Sequence, residues 1–404
     1  ADLVPDLDAA GVAAACEPPV THAAADHPVS TPLLPMPVDG WRMRPWLEGA
    51  RGNGTDWSPA FALSATAAGD GGVHPTQVSS TELEFTDDRA GLALTVRLRL
   101  DEHGILTLEQ SLRNTGDTPY LLSGLMSVLP VPGRVGEVLD LTGRWCRERA
   151  PQRHLLQMGA WVREGRRGRT GHDSPTLMVA GTRGFGFRHG EVWAMHHAWS
   201  GNSVYVAERT PTGHTQLAVG ERLEAGEVRL APGEVYAAPP ALAAYSADGL
   251  DGLTAAWHTH IRARPTHPRT PRPVILNTWE AVYFDHRLDR LTALADVAAQ
   301  VGVERFVLDD GWFGGRRDDT AGLGDWIVSP QVWPDGLAPL IAHVTGLGLE
   351  CGLWVEPEMV NPDSDLFRAH PDWLLAVPGR TTPTWRHQQV LDLTNPECFD
   401  YLRS

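Results

Sequence analysis

The period of the hydrophobic pattern changes once along this chain, and that change fixes what each half can become. Leu94, Val96, Leu98 and Leu100 alternate with Thr95, Arg97 and Arg99, the two-residue period of a strand with one buried face. Asp101-Glu102-His103-Gly104 supplies turn residues, and Leu106, Leu108, Gln110 and Leu112 resume the alternation, so the pair reads as a hairpin. Asn114-Thr115-Gly116-Asp117 ends it. Short segments of the same kind recur at Leu217-Ala218-Val219 and at Val228-Arg229-Leu230, the latter closed by Pro232-Gly233. No helix-length pattern occurs before about residue 250, and evenly spaced short strands with Gly, Pro and Asn turns imply an antiparallel sandwich.

Beyond that point strands and helices alternate. Leu253 to Ile261 reads as a connecting helix, and Arg262-Ala263-Arg264-Pro265-Thr266-His267-Pro268 as a Pro-rich linker. Val274-Ile275-Leu276 is a first short strand. Leu288, Leu291, Ala295, Ala298 and Val301 then recur at helical steps up to Gly302. Phe306-Val307-Leu308, Leu349 to Val355 and Gln389-Val390-Leu391 read as strands two to four, with a helix from Leu337 to Val344 and another starting at Pro396. Such repeats imply parallel strands covered on both faces. Four units suggest part of an eight-unit barrel. A doubly wound sheet is the alternative, but no Gly-rich dinucleotide fingerprint follows the first strand. The expected domains are 1–250 (sandwich), 251–272 (linker helix and Pro-rich linker) and 273–404 (first half of a barrel).

A chain of 404 residues exceeds one compact domain of ordinary size. Its formal net charge of −16 argues against nucleic acid or an anionic membrane as partner. No apolar run approaches the roughly 18 residues of a membrane helix. Ala1-Asp2-Leu3-Val4-Pro5 lacks the basic and apolar regions of a signal peptide. Cys16, Cys146, Cys351 and Cys398 lie far apart with no CxxC pair, which reads as buried free thiols in a reducing compartment. A cytoplasmic protein without cofactor or metal is expected.

In a barrel the strand ends and the loops after them build the site. Strand one ends in Asn277-Thr278-Trp279-Glu280, strand two in Asp309-Asp310-Gly311-Trp312-Phe313, and strand three in Trp354-Val355-Glu356-Pro357-Glu358. Arg386 precedes strand four, which ends in Asp392. Acids and indoles on one rim suit a polyol: carboxylates accept strong hydrogen bonds from hydroxyls, and Trp supplies an apolar wall for a sugar ring. Each residue has a plainer reading. An Asp pair can be a turn or cap, the Trp side chains can be core, and Arg386 can sit in a surface ion pair. A magnesium barrel remains a rival because several carboxylates converge.

These segments resemble the α-galactosidases of glycoside hydrolase family 36. The resemblance runs through Asn277 to Asp285, Leu308 to Phe313, Gly352 to Pro362 and Val390 to Leu393. Earlier, Arg169 to Pro175 and Trp199 to Asn202 look like that family's N-terminal β-supersandwich. It implies retaining hydrolysis of terminal α-linked galactose, as in melibiose and raffinose, by a dimer or tetramer. It also implies that Trp279, Asp309, Asp310, Trp354 and Arg386 line the galactose subsite. The family carries an Asp in a Gly-x-Gly-Asp stretch that reaches a neighbouring subunit. Here Gly52-Asn53-Gly54 is followed by Thr55, Asp56 and Trp57, so Asp56 and Trp57 are the candidates for that contact. The family's Asn after the strand-four Arg is His387 here.

Retaining glycosidases need a nucleophile and an acid/base. In the family these are Asp residues on later strands, the first within Lys-Trp-Asp, so both are expected beyond Ser404, and the 404 residues alone are expected to be inactive and poorly stable. Rival readings are a non-catalytic galactoside-binding protein, and an α-N-acetylgalactosaminidase or raffinose synthase of the same clan.

Overall fold

A computed structural model describes residues 33–68, 79–174 and 177–404. The chain forms two compact units, Ala1–His267 and Pro268–Ser404. Among the described residues no helix is long and apolar enough to cross a membrane.

Among the described residues the first unit has fifteen strands: β1 (Leu47–Arg51), β2 (Ala62–Ala68), β3 (Ser79–Asp87), β4 (Leu92–Leu100), β5 (Ile105–Asn114), β6 (Tyr120–Val131), β7 (Val135–Arg144), β8 (Arg147–Leu155), β9 (Gly159–Glu164), β10 (Leu177–Thr182), β11 (Val192–His197), β12 (Ser203–Arg209), β13 (Thr215–Glu221), β14 (Val228–Leu230) and β15 (Val235–Ser246). They make two antiparallel sheets. One runs β1-β6-β13-β12-β9 with β14 also on β6; the other runs β2-β3-β4-β5-β15-β11-β10-β7-β8. The alternation in the sequence is the register: Leu94 pairs with Leu112, Val96 with Gln110 and Leu98 with Leu108. Leu92, Leu94 and Val96 are buried, as are Leu108 and Leu112, in a core they share with Leu122, Leu125, Leu217 and Val219 of the other sheet. At the hairpin tip Gly104 takes φ 79°, and Asp101 caps the turn by accepting from the amides of His103 and Ile105.

Helix α1 (Gly249–Ala263) belongs to this sandwich unit rather than standing in a separate linker. Its Leu253 is buried with Ile105, Val179, Phe185 and Leu242, and His260 Nδ1 lies 2.6 Å from the Asp101 carboxylate. Apolar burial and a desolvated polar pair therefore both hold it on the sheet.

The second unit begins with β16 (Ile275–Asn277), followed by α2 (Trp279–Val282) and α3 (Leu288–Gln300). Then come β17 (Arg305–Leu308), α4 (Ala338–Gly346), β18 (Glu350–Leu353) and β19 (Met359–Val360). α5 (Asp365–Ala369), β20 (Gln389–Val390) and α6 (Pro396–Arg403) complete it. β16, β17 and β18 are parallel and adjacent. Leu291, Ala295 and Ala298 of α3 and Leu340 and Val344 of α4 are buried with Phe306 and Leu308 of β17, as their helical spacing requires. Gly302 takes φ 88° just past the end of α3. One expectation needs correction. The fourth segment does not add a parallel strand: β20 pairs antiparallel with β19, Met359 against Val390. Two residues of β20 carry no alternation that could have shown this.

The thiols also differ from expectation. Cys398 is buried, Cys351 is intermediate, and Cys146 is exposed. Cys146 sits in the turn between β7 and β8 at φ 60°, where no core is available to receive it. Cys16 lies outside the described residues.

Candidate functional site

The acids of the second parallel strand begin where it stops. β17 ends at Leu308, and Asp309 and Asp310 follow, 7% and 3% exposed. Leaving the strand lets neighbouring side chains escape the alternation that would send them to opposite faces. Gly311 makes the next turn at φ 113°, and a Cβ there would come 3.0 Å from Phe284 and 3.3 Å from His286. Only glycine fits that passage without strain.

The two carboxylates are held differently. Asp309 accepts from the Asn277 side-chain amide at the end of β16 and, at 2.7 Å, from the backbone amide of Asp310. Its own amide donates to Thr278 Oγ1 at 3.0 Å. Asp310 is clamped by Arg316, whose Nε lies 2.9 and 3.1 Å from the two oxygens and whose Nη2 lies 2.8 Å from Oδ2. Arg316 is fully buried. A carboxylate offers about four acceptor positions. The contacts above leave capacity on both residues for hydroxyl donors, more on Asp309 than on Asp310.

The two indoles have different partners. Trp279 is half-buried, its amide donates to Asn277 Oδ1 at 2.8 Å, and its ring meets Tyr283 and Phe284 edge-on. Phe284 in turn lies under the Arg316 guanidinium at 5.8 Å. Trp354, also half-buried, receives the Trp312 indole N–H on its carbonyl at 3.0 Å, and its ring meets Trp326 at 6.2 Å. The sequence set Trp279 against Trp354; the structure gives each its own aromatic neighbours.

Arg386 is exposed and faces Asp319 at 3.5 Å. It nevertheless belongs to the same electrostatic neighbourhood. Burial pushes the Glu356 carboxyl above its ordinary range, helped by Glu358 and Asp310 and opposed by Arg386 and Arg316. Next to Gly311, His286 is buried and held toward its neutral form by desolvation and by Arg317. Among the described residues no group of three or more His, Cys, Asp or Glu is arranged to hold a metal ion.

In the first unit Asp56 takes φ 58°. Its carboxylate accepts from Thr55 Oγ1 at 2.9 Å and lies 3.5 Å from Arg51 Nε, while Trp57 is 61% exposed. Three residues that the sequence reading did not single out shape the second unit's site: Arg316, Asn361 and Asp319. Their signal was weak, since nothing in Gly-Gly-Arg-Arg-Asp-Asp marks which Arg turns inward.

An antiparallel sandwich followed by parallel strand–helix repeats, with acids, indoles and an arginine at the strand ends, is the architecture of the sandwich-plus-barrel glycoside hydrolases. Residues 7–231 match the profile of the Glycosyl hydrolase family 36 N-terminal domain, and residues 235–404 that of Melibiase. The chain belongs to glycosyl hydrolase family 36. It is 42% identical to an Alpha-galactosidase of Escherichia coli over 96% of this chain and 54% of that protein. It is 35% identical to Alpha-galactosidase AgaA of Geobacillus stearothermophilus over 81% of this chain and 46% of that protein. The chain thus spans about half the length of these curated relatives. The crystal structure of the family 36 alpha-galactosidase AgaB from Geobacillus stearothermophilus superposes with a TM-score of 0.82 at 31% identity, covering 89% of this chain and 52% of that one.

Proposed function

We propose that this chain supplies the galactose-recognition half of an α-galactosidase that releases terminal α-linked galactose from oligosaccharides such as melibiose and raffinose. The nucleophile and acid/base would lie in sequence that the relatives have beyond the stretch matched here, so Asp309 and Asp310 bind rather than attack. The observation that carries this reading is the Asp309–Asp310 pair, buried at a strand end with acceptor capacity to spare. Variants of the relative AgaA have been crystallised with raffinose and with stachyose, which supports an oligosaccharide ligand.

Discrimination would come from the acids. A buried carboxylate placed to receive an axial hydroxyl is left short of a donor by the equatorial epimer, and that costs more than a lost apolar contact. Arg386 would add donors from the opposite side, and Trp279 and Trp354 would cover the apolar ring face. Free thiols at Cys146, Cys351 and Cys398 favour a reducing, cytoplasmic setting, and an assembled dimer or tetramer is part of the same proposal.

The test is hydrolysis of an aryl α-galactoside by a longer version of the protein carrying the remaining barrel, with the anomer of the first product read by NMR. Release of α-galactose that survives chelator supports the reading. Activity that requires a divalent metal, or a product of inverted configuration, overturns it.

A further inference from the structure

Arg386 sits on a strained turn. Trp385 and Gln388 form an antiparallel bridge, closed by the Gln388 amide donating to the Trp385 carbonyl at 2.9 Å. The two residues between them, Arg386 and His387, both have positive φ, 52° and 57°. Two left-handed residues inside a two-residue hairpin loop are the pattern of a type I′ turn, which favours Asn and Gly. His tolerates the region better than most residues, and Arg does not share that tolerance. Something outside the turn must hold it.

Asn361 does. Its side chain is fully buried, and each end is used. Nδ2 donates to the His387 carbonyl at 2.9 Å. Oδ1 accepts from Arg316 Nη1 at 2.9 Å and from the Leu323 amide at 2.9 Å. Arg316 is the residue that clamps Asp310. One carboxamide, just after β19, therefore touches the holder of one proposed ligand group and the backbone that presents another.

We propose that Asn361 is a positioning residue: its donor end fixes the Arg386–His387 turn while its acceptor end fixes the Asp310 clamp, so the two sides of the site are set by one buried amide. The inference rests on reading these strand ends as a hexose subsite. The rival holder of the turn is the Arg386–Asp319 ion pair, whose side chains are 41% and 45% exposed.

Asn361→Asp separates the two functions, because it keeps the acceptor and deletes the donor. The amide exchange of Gln388 and Leu323 is measured in the 404-residue chain, together with the affinity of 1-deoxygalactonojirimycin, a probe crystallised with a variant of AgaA. Loss of the bond to the His387 carbonyl, with the longer one to the Asp319 carbonyl at 3.5 Å, predicts Gln388 exchanging about three- to ten-fold faster and the probe binding weaker by a similar factor, with Leu323 unchanged. His387→Gly in the same background removes the left-handed penalty and restores both. Unchanged Gln388 exchange in Asn361→Asp overturns the proposal. Should that variant not fold, the unaltered chain decides. Gln388 protection indifferent to salt supports the buried amide, and protection falling as salt rises assigns the turn to the exposed ion pair. A wild-type chain that does not bind the probe refutes the hexose reading, and the exchange data still decide what holds the turn.

Discussion

Arg316→Met removes the only partner that the Asp310 carboxylate has among the described side chains, and the cost can be worked from the geometry. Three N–H···O contacts of 2.8 to 3.1 Å are lost, at a pair whose side chains are 0% and 4% exposed. Breaking a buried pair by deleting one member costs about 3–5 kcal/mol, because a charge is stranded. Here the deletion also strips a donor from Asn361 Oδ1 and from the Ala321 carbonyl, which places the expected loss toward the upper end. For a unit of this size that corresponds to a fall in melting temperature of roughly 10–20 °C. Asp310→Asn combined with Arg316→Met removes both charges and should be less destabilised than Arg316→Met alone. Differential scanning calorimetry of Asp310→Asn, Arg316→Met and the double variant reads both effects. A loss below about 1 kcal/mol for Arg316→Met, or a double variant as unstable as the summed singles, would refute the claim that the pair is buried and mutually dependent.

Further expectations concern other parts of the molecule. Gly311→Ala should cost about 1–3 kcal/mol by forcing a side chain into a left-handed passage against Phe284 and His286, and should weaken ligand binding; thermal melts and titration check it. Glu356→Gln should stabilise the second unit at neutral pH. Its folded carboxyl titrates above the ordinary range, so its destabilising contribution grows as pH rises through the unfolded value toward the folded one. The gain should vanish in acid, and denaturant midpoints across pH measure it. His197, buried in the sandwich, has its pKa pushed down to about 4, chiefly by desolvation and then by His196. Being depressed from 6.5, it leaves the folded state intact at neutral pH and costs roughly 3 kcal/mol as pH falls from about 6.5 to about 4. His197→Asn should flatten that acid limb, and an unchanged limb would point to other groups.

The sequence was most transparent where one physical rule dominates. Alternation gave β4 and β5 and their register, because one face of an antiparallel pair must be buried. Leu291, Ala295 and Ala298 announced α3 for the same reason at a helical period. The site's acids were visible because a short apolar run cannot continue through Asp309 and Asp310 and must end there. What stayed hidden depends on partners far along the chain. Arg316 and Arg317 are neighbours of one type, yet the first clamps Asp310 and the second caps the carbonyls of Gly311 and Gly314; only the folded loop decides between them. β20 is too short to show which strand it will join. Asn361 is one amide among several polar residues, and its importance comes from burial that local pattern does not encode.

Calorimetric titration of the 404-residue chain with 1-deoxygalactonojirimycin and with its glucose-configured epimer tests the central claim most directly. The account predicts saturable binding of the galactose-configured compound, weaker binding of the epimer, and loss of that preference in Asp309→Ala and Trp354→Ala. Equal affinity for both epimers, or binding untouched by either substitution, would contradict it.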